Sequence, residues 1–414
     1  MFEEEVRGGV VWLAKSSNSI YTNSTSTTTR KALLGERTRY VHAVVASWRF
    51  TAGLYRGGIV VSAVIQSSCN PQKLYKNVDF DREVYVLGIE STAHTFGVGI
   101  ASTKPPYILA NVRHVYTPEK GGIHPREAAA HHARVAPEVV SEALRVAGLS
   151  IEDIDAIAVA LGPGLGPCLR VGATIARSLA AYYGKPLVPV NHAVAHIEIG
   201  RLATCFRDPV VLYVSGGNTV VVAYAKGRYR VFGETLDIAL GNLLDTFARE
   251  VGLAPPYIVD GLHQVDRCAL EANEPYELPY VVKGQDVSFS GLLTAALRAV
   301  KQGARLPDVC LGLREVAYSS VVEVTERCLA HTGKREVIVV GGVAASPVLR
   351  EKISMMVRYH NARWGAPPPS LAGDNGAMIA WVGLLNFLSN VTIAVSDSVV
   401  RQRWRVDDVP VPWR

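Results

Sequence analysis

The sequence lacks the features of a membrane or secreted protein. None of its 414 residues falls in an uncharged apolar run of about 18 residues, so hydropathy predicts no transmembrane helix and no membrane partner. The acidic start, with Glu at positions 3–5, precedes no apolar segment of the kind a secretory signal needs. Six cysteines without CxxC pairs predict neither a zinc knuckle nor a disulfide scaffold. These absences favour a reducing compartment, and we expect the cytoplasm.

Strong charge of one sign is also missing. The chain has 43 Lys and Arg against 37 Asp and Glu, and residues 1–83 hold 11 of the former against 7 of the latter. The rest is nearly neutral, so charge alone does not indicate a nucleic-acid-binding protein. Methionine is absent between Met1 and Met355. This suggests the hypothesis that the native protein begins at a non-Met start codon near Val84.

Two parts of the chain differ in composition. Residues 1–83 include a Ser-, Thr- and Asn-rich tract from Ser16 to Thr29, which predicts a partly disordered extension with one weak strand candidate at 59–65. From Val84 onward, apolar runs of strand length alternate with helical patterns. We predict strands at 84–90, 96–101, 154–160, 187–190, 210–214, 219–223, 229–233 and 337–340. We predict helices at 126–147, 173–183, 242–251, 291–301 and 313–331, with another after 190.

The order of these elements repeats. A hairpin, a helix, a strand and a helix occur in the first half and again in the second, although no residue-level repeat is visible. Consecutive α/β units of this kind build layered domains. We therefore predict an α/β protein with two lobes and a cleft between them.

Two histidines and a distant aspartate predict a metal site. His192 and His196 lie four residues apart, so a helix would place both on one face, and Asp374 follows in a Gly-rich turn. Nitrogen and oxygen ligands in this number suit one metal ion with open positions. Ala193 stands where protease helices carry Glu, which disfavours hydrolysis by metal-bound water. If the two histidines are considered without Asp374, ordinary polar side chains at a helix edge explain them equally well.

Glycine-rich turns follow several predicted strands. Residues 215–219 could form an anion-binding concavity of backbone N–H groups, although an ordinary hairpin turn is the commoner explanation. Residues 341–346 join a strand to a helix N-terminus, which favours a nucleotide but also occurs in any α/β protein. Residues 162–167 lack the Gly-Lys-Ser/Thr of a Walker loop. Three nearby carboxylates could bind ribose or only complement helix charges: Glu234, Asp237 and Asp245.

Taken together, these segments resemble the tRNA N6-adenosine threonylcarbamoyltransferases of the archaeal and eukaryotic-cytosolic branch. The matching segments are 87–94 (LGIESTAH), 121–129 (GGIHPREAA), 162–172, 191–196, 213–219 (YVSGGNT), 233–237 (GETLD), 286–292 (DVSFSGL), 373–378 (GDNGAM) and the tail 399–409. The resemblance runs in order from about Val84 to Arg414, and an ordered series of this kind is highly specific.

The resemblance implies a duplicated actin-like, hexokinase-like ATPase fold, known as the ASKHA fold. The domains would then be an unmatched extension at 1–83, a first lobe at 84–190, a second lobe at 191–372, and a segment at 373–414 whose helix returns to the first lobe before a basic tail. The family also implies two partners: tRNA, and a KEOPS complex that includes a small kinase-like ATPase.

The implied reaction moves a threonylcarbamoyl group from threonylcarbamoyl-AMP to N6 of adenosine 37, in tRNAs that read codons beginning with adenine. His192, His196, Tyr213 and Asp374 would bind one metal ion, iron or zinc. Glu90 is a candidate for handling a proton. The residues that would contact ATP or the acyl-adenylate are Tyr213, Val214, Ser215, Gly216, Gly217, Asp245 and Ser346.

Two departures from the family pattern keep alternatives open. Pro256-Tyr257-Ile258-Val259 replaces a Pro-Gly-Gly-Pro segment, and Ser346 replaces an Asn. Both lie on the nucleotide side in the family, so a non-catalytic scaffold with altered nucleotide binding is one alternative. A small-molecule kinase of the same fold is another, and a metalloprotease is disfavoured. Arginines of the tail could face RNA phosphates or form a solvated tail: Arg401, Arg403 and Arg405.

Overall fold

The computed structural model describes residues 55–414 except for 57, 66–68, 119–121, 254–257 and 260–261. In this part the strands are β1 (Tyr55–Arg56), β2 (Ile59–Ile65), β3 (Tyr85–Glu90), β4 (Thr95–Ser102), β5 (Ile108–Val115), β6 (Ala156–Gly162), β7 (Leu187–Asn191), β8 (Val210–Val214), β9 (Thr219–Ala225), β10 (Arg228–Glu234), β11 (Ile258–Val259), β12 (Leu262–His263), β13 (Val282–Lys283), β14 (Asp286–Val287), β15 (Glu336–Val340) and β16 (Arg363–Gly365). The helices are α1 (Pro71–Leu74), α2 (Pro125–Ala147), α3 (Gly166–Tyr183), α4 (His192–Thr204), α5 (Leu240–Glu250), α6 (Gln264–Cys268), α7 (Ser290–Lys301), α8 (Leu306–Thr332), α9 (Pro347–Tyr359), α10 (Pro369–Ala372) and α11 (Gly376–Leu388).

Two large sheets have the same internal order. The first runs β1-β2-β5-β4-β3-β6-β7, and the second runs β10-β9-β8-β15-β16. In each, an antiparallel three-stranded unit continues into two parallel strands, β6 and β7 in the first sheet and β15 and β16 in the second. The duplicated two-lobed α/β fold predicted from element order is therefore confirmed.

The burial of each strand explains why the sequence predicted some strands and missed others. Strands β4 and β6 are buried along their whole length, as expected for strands covered on both faces, and both read as apolar runs. The sequence prediction missed β5, which carries Asn111, Arg113 and His114. These polar residues interrupt the apolar pattern, although β5 pairs with both β2 and β4.

Helix α11 packs directly on the first sheet because glycines leave room for its backbone. A Cβ on Gly88 of β3 would lie 2.1 Å from Ala380 N, and a Cβ on Gly99 of β4 would lie 2.3 Å from Ala377 N. Real Cβ atoms do not approach backbone this closely. The two glycines therefore fix α11, and Asp374 just before it, against the first lobe.

We expect Gly99→Ala to lower the free energy of unfolding by about 2–3 kcal/mol, because the new methyl would meet backbone that cannot turn away. The matched control is Gly291→Ala in the first turn of α7, where a Cβ would have no heavy atom within 4 Å. That variant should be neutral or gain about 0.5–1 kcal/mol from helix propensity. Urea unfolding of both variants tests this, and equal midpoints would contradict it.

Residues before Val84 contribute to the first lobe. The predicted strand at 59–65 is confirmed as β2, and the Tyr75 side chain is fully buried. Cys69 forms a disulfide with Cys205, although cysteine spacing had predicted no disulfide scaffold. The partners lie 136 residues apart, so no local pattern could reveal them. The domain boundary at residue 83 stays a prediction, and the Ser/Thr tract lies outside the described residues.

Among the described residues, no helix combines the length and the apolar character that crossing a membrane requires.

Candidate metal and nucleotide site

Helix α4 carries both predicted histidine ligands. It begins directly after β7, and the Asn191 side chain caps it by accepting hydrogen bonds from Ala193 N (3.0 Å) and Val194 N (3.1 Å). This cap fixes His192 in the first turn and His196 one turn further on. The helix packs against α11 of the first lobe and β15 of the second sheet. The two imidazoles therefore lie between the lobes.

Asp374 meets both imidazoles. Its Oδ1 lies 3.4 Å from His192 Nε2 and 3.2 Å from His196 Nε2. One ligand atom from each residue lies within 4.8 Å of the others, which is a spacing that one metal ion could bridge. The histidine pair and an aspartate 178 residues after His196 thus converge in the cleft.

A buried carboxylate orients His192. Glu90 Oε2 lies 2.8 Å from His192 Nδ1, while Glu90 Oε1 accepts from Thr92 N (2.6 Å) and Thr92 Oγ1 (2.5 Å). Both carboxylate oxygens are engaged and Glu90 is fully buried. The bond to Glu90 places the proton of His192 on Nδ1 and leaves Nε2 directed at Asp374. Sequence reasoning missed Thr92, whose only signal was its place in the 87–94 segment.

The charges in this group depend on one another. Burial by itself lowers the pKa of His192, but the negative charges of Glu90 and Asp374 raise it well above its usual range. Burial by itself raises the pKa of Asp374, but the two histidines hold it well below its usual range. Burial lowers the pKa of His196. A buried carboxylate between two imidazoles thus requires a positive charge, which a proton or a metal ion can supply.

Tyr213 and the turn that follows it lie beside the histidines. The Tyr213 ring is buried with its centroid 5.0 Å from that of His196, and its hydroxyl accepts from Asn218 Nδ2 (3.3 Å). The turn is an ordinary hairpin in its hydrogen bonds, since Ser215 N donates to Asn218 O. Gly216 and Gly217 nevertheless have open space where a Cβ would stand. The turn therefore leaves room for a ligand next to the predicted metal ligands.

The other predicted nucleotide contacts have partners of their own. Asp245 Oδ1 lies 3.0 Å from His263 Nε2. Ser346 is buried, and its hydroxyl donates to Asp266 Oδ2 (3.1 Å) and accepts from Leu349 N at the start of α9. Within the described residues, no hydrogen bond joins Asp245 or Ser346 to the His-His-Asp group. Ile258 lies in β11 with an exposed side chain, and Tyr257 lies outside the described residues.

Three further imidazoles form a chain beside the loop of Thr92. His132 Nε2 lies 3.0 Å from Ala93 O, His131 Nδ1 lies 3.2 Å from His132 Nδ1, and His131 Nε2 lies 2.7 Å from His114 Nδ1. A carbonyl only accepts, so the proton of His132 is on Nε2 and each imidazole donates to the next one toward Ala93. Burial and the neighbouring histidines lower the pKa of His131 to about 4. Burial also lowers the pKa of His132, so His131 and His132 are both neutral at neutral pH.

This depressed pKa makes stability depend on pH. His131 has a pKa of about 6.5 in the unfolded chain and of about 4 in the folded protein. As the pH falls, the unfolded chain therefore takes up this proton before the folded protein does. The contribution of His131 is therefore complete above pH 6.5 and is lost as pH falls toward 4, by roughly 2–3 kcal/mol. We expect the free energy of unfolding to fall less steeply over this window in His131→Gln than in wild type. If the free energy of unfolding fell with pH at the same slope in His131→Gln and in wild type, this prediction would be contradicted.

Comparisons with known proteins agree with this architecture. Residues 107–381 match the family model described as TsaD, tRNA N6-adenosine threonylcarbamoyltransferase. In fold, the chain is similar to full-length HypF in its phosphate- and nucleotide-bound form, with a TM-score of 0.53 and 11% identity. That likeness covers 82% of this chain and 51% of HypF, and it concerns the ASKHA fold alone.

Curated archaeal relatives match far more closely. The chain is 74% identical to the tRNA N6-adenosine threonylcarbamoyltransferase of Hyperthermus butylicus, over 83% of this chain and 96% of that protein. It is 65% identical to the protein of the same name from Aeropyrum pernix, over 80% of this chain and 95% of that protein. The 348 residues aligned with the first relative are more than residues 84–414 contain, so that match includes residues before Val84. Identity at this level over nearly the whole of each relative shows that the chain belongs to the tRNA N6-adenosine threonylcarbamoyltransferase family.

Proposed function

We propose that this protein transfers the threonylcarbamoyl group of threonylcarbamoyl-AMP to N6 of adenosine 37 in tRNAs that read codons beginning with adenine. The products are N6-threonylcarbamoyladenosine and AMP. Membership of the family supports acyl transfer to tRNA adenosine. The convergence of His192, His196 and Asp374 in the cleft is the observation that carries the chemistry of the site.

The residues present fit one iron or zinc ion. Two imidazole nitrogens and a carboxylate oxygen are a donor set that both metals accept, and Glu90 behind His192 is the kind of orienting partner that metal-bound histidines have. His192, His196 and Asp374 would hold the ion, with Tyr213 adding a phenolic oxygen. When bound, the ion would supply a Lewis acid to polarise the carboxylate or carbonyl of the acyl donor.

The protein itself must bind and orient two reactants. The donor is an activated acyl phosphate, so the reaction needs no protein nucleophile: the N6–carbon bond forms, the carbon–oxygen bond to phosphate breaks, and N6 loses a proton. The open turn at Gly216 and Gly217 is suited to the phosphate of the leaving AMP, because backbone N–H groups stabilise negative charge there. Holding the weakly nucleophilic amine beside the carbonyl provides the remaining acceleration.

Glu90 has a different role in this proposal from the proton handling that the sequence suggested. Its two oxygens are occupied by Thr92 and His192, and the residue is fully buried. A carboxylate in this position stabilises the orientation of the imidazole. We therefore assign it an orienting function, and the proton of N6 leaves by another route, such as the departing phosphate.

The partners belong to the same proposal. tRNA is the acceptor, and a KEOPS complex with a small kinase-like ATPase is the expected assembly, located in the cytoplasm. The names of the archaeal relatives support tRNA as the acceptor.

Transfer of labelled threonylcarbamoyl from its adenylate to tRNA, with the purified chain and its partner proteins, tests the function. The control acceptor is the same tRNA with guanosine at position 37, which lacks an N6 amine. Label on the adenosine tRNA alone supports the proposal. Phosphorylation of a small molecule from ATP without transfer would favour the kinase alternative. Absence of both reactions would favour the scaffold.

A further inference from the structure

The C-terminal strap, residues 398–405, is a fixed part of the first lobe. Arg401 N donates to Leu161 O (2.7 Å), and Gly164 N donates to Gln402 O (3.2 Å). The strap also packs tightly on the turn at 162–166, where two glycines leave no room for a Cβ beneath it. The sequence left open whether Arg401, Arg403 and Arg405 belong to a solvated tail. These backbone contacts exclude a free tail, because they hold the segment that carries the arginines against the first lobe.

A single residue, Asn191, connects the strap to the helix that carries the candidate metal ligands. Asn191 Nδ2 donates to Trp404 O (3.1 Å), while the oxygen of the same amide caps α4 directly before His192. On the neighbouring turn, Leu165 N donates to Thr92 O (2.7 Å). Hydrogen bonds thus connect the strap to Asn191 directly, and to the loop of Thr92 through the neighbouring turn.

At its end the strap reaches the second lobe. Arg405 Nη2 lies 3.3 Å from Glu234 Oε1 on β10, and Arg405 Nε lies 3.0 Å from Asp407 Oδ1. The strap therefore spans the two lobes beside the cleft. The charge of Arg405 is occupied by these carboxylates and is not offered to a ligand.

Two other strap arginines remain unpaired. Arg401 and Arg403 are exposed, and within the described ranges neither has an acidic partner. The guanidinium carbon of Arg401 lies 5.0 Å from the centre of the Trp404 ring, which holds this side chain along the surface. Residues 398–405 contain three arginines and no acidic residue. The exposed positive charge is thus concentrated next to the site.

Helix α3 adds a third arginine. Gly166 touches the Gln402 side chain, and Arg177 Nε donates to Ser398 Oγ (2.6 Å). Arg170 lies four residues after the first contact and seven before the second, so helical geometry places it on the side of α3 that meets the strap. It is exposed and has no acidic partner among the residues that the structure describes.

We propose that Arg170, Arg401 and Arg403 form a strap surface that binds phosphates of the tRNA near its target adenosine. The inference rests on the proposed function, because it assigns the acceptor RNA a place on the protein. Guanidinium groups bind phosphate through paired hydrogen bonds and stack on aromatic rings. The strap and α3 are already ordered, so binding requires ordering of the arginine side chains and not of their backbone. Phosphate contacts of this kind set the register of an RNA and carry little sequence information.

Binding of an anticodon stem-loop RNA to the full-length protein tests the strap surface, measured by fluorescence anisotropy over a range of salt concentrations. The variant is Arg401→Gln/Arg403→Gln. The matched control is Arg298→Gln/Arg358→Gln, which removes the same charge from two exposed arginines of the second lobe. We expect the strap variant to bind about tenfold more weakly or worse, with a salt slope shallower by about one to two. The control should match wild type in both quantities.

Steady-state transfer separates binding from catalysis. The strap variant should raise KM for tRNA and leave kcat at saturating tRNA unchanged, because it alters no group of the metal site. Arg403→Lys should keep most of the salt slope, since it keeps the charge. Equal affinity and slope for the strap and control variants would overturn the proposal and would leave an acidic protein as the partner of this surface. If wild type itself transfers nothing, the proposed function fails, whereas the anisotropy result still decides the strap surface.

Discussion

Replacing His196 by Ala is expected to remove the metal ion and reduce threonylcarbamoyl transfer to background. His196 Nε2 is one of three ligand atoms within 4.8 Å of one another. Its loss would leave His192 and Asp374, with the phenolic oxygen of Tyr213, to hold the ion. Loss of an outer-shell partner alone costs about 10–100-fold in metal affinity, so loss of a ligand should exceed about 100-fold. Metal content of purified protein by elemental analysis and transfer of the labelled group measure the two effects.

The control for this variant is His331→Ala, which removes an exposed histidine from the end of α8. It should retain full metal content and the wild-type rate. A His196→Ala protein with one metal ion per chain would remove His196 from the ligand set. Wild-type transfer by a metal-free variant would remove the metal from the mechanism.

Replacing Arg201 by Met is expected to lower the free energy of unfolding by about 3–5 kcal/mol. Arg201 and Glu198 are both buried on α4, with Arg201 Nη1 2.7 Å from Glu198 Oε2. The hydroxyls of Tyr75 and Tyr229 donate to the same carboxylate at 3.0 and 2.5 Å. Burial by itself raises the pKa of Glu198, but Arg201 holds it below its usual value. Without the Arg201 guanidinium, the charged carboxylate of Glu198 would stay buried with only Arg414 as a neighbouring cation.

The double variant Glu198→Gln/Arg201→Met is the matched control. It removes both charges, so it should recover a large part of the stability that Arg201→Met loses. Urea unfolding of the two variants and wild type gives the comparison. Equal losses in the single and double variants would show that packing of the long arginine side chain matters, and that its charge does not.

The fold was readable from sequence wherever apolar periodicity was strong. Buried strands such as β3 and β8, and long helices such as α2, lie within a few residues of their predicted bounds. Strand β5 was not readable, because Asn111, Arg113 and His114 break its pattern although hydrogen bonds to two neighbours hold it in the sheet. Pairing of strands is a long-range property, and a local window cannot detect it.

The candidate site likewise has features that the sequence predicts and features that depend on tertiary packing. The spacing of His192 and His196 follows from helical geometry, so the sequence alone could place them on one face. Ser346 matched a motif position, yet its hydroxyl is taken by Asp266 and by the start of α9. A motif specifies which residue is present, and it does not specify which neighbours compete for its hydrogen bonds.

By itself, the sequence determined the duplicated α/β plan, the family and the identity of the three metal-ligand candidates, because these depend on periodicity, order and residue type. Only the tertiary structure decided that Asp374 meets both imidazoles, that Glu90 and Thr92 orient one of them, and that Cys69 pairs with Cys205. It also decided that residues 398–405 form a strap across the lobes. Each of these contacts joins segments whose distance in space is set by the packing of whole sheets and helices. The residues that flank each contact in the sequence therefore do not predict that the two segments meet.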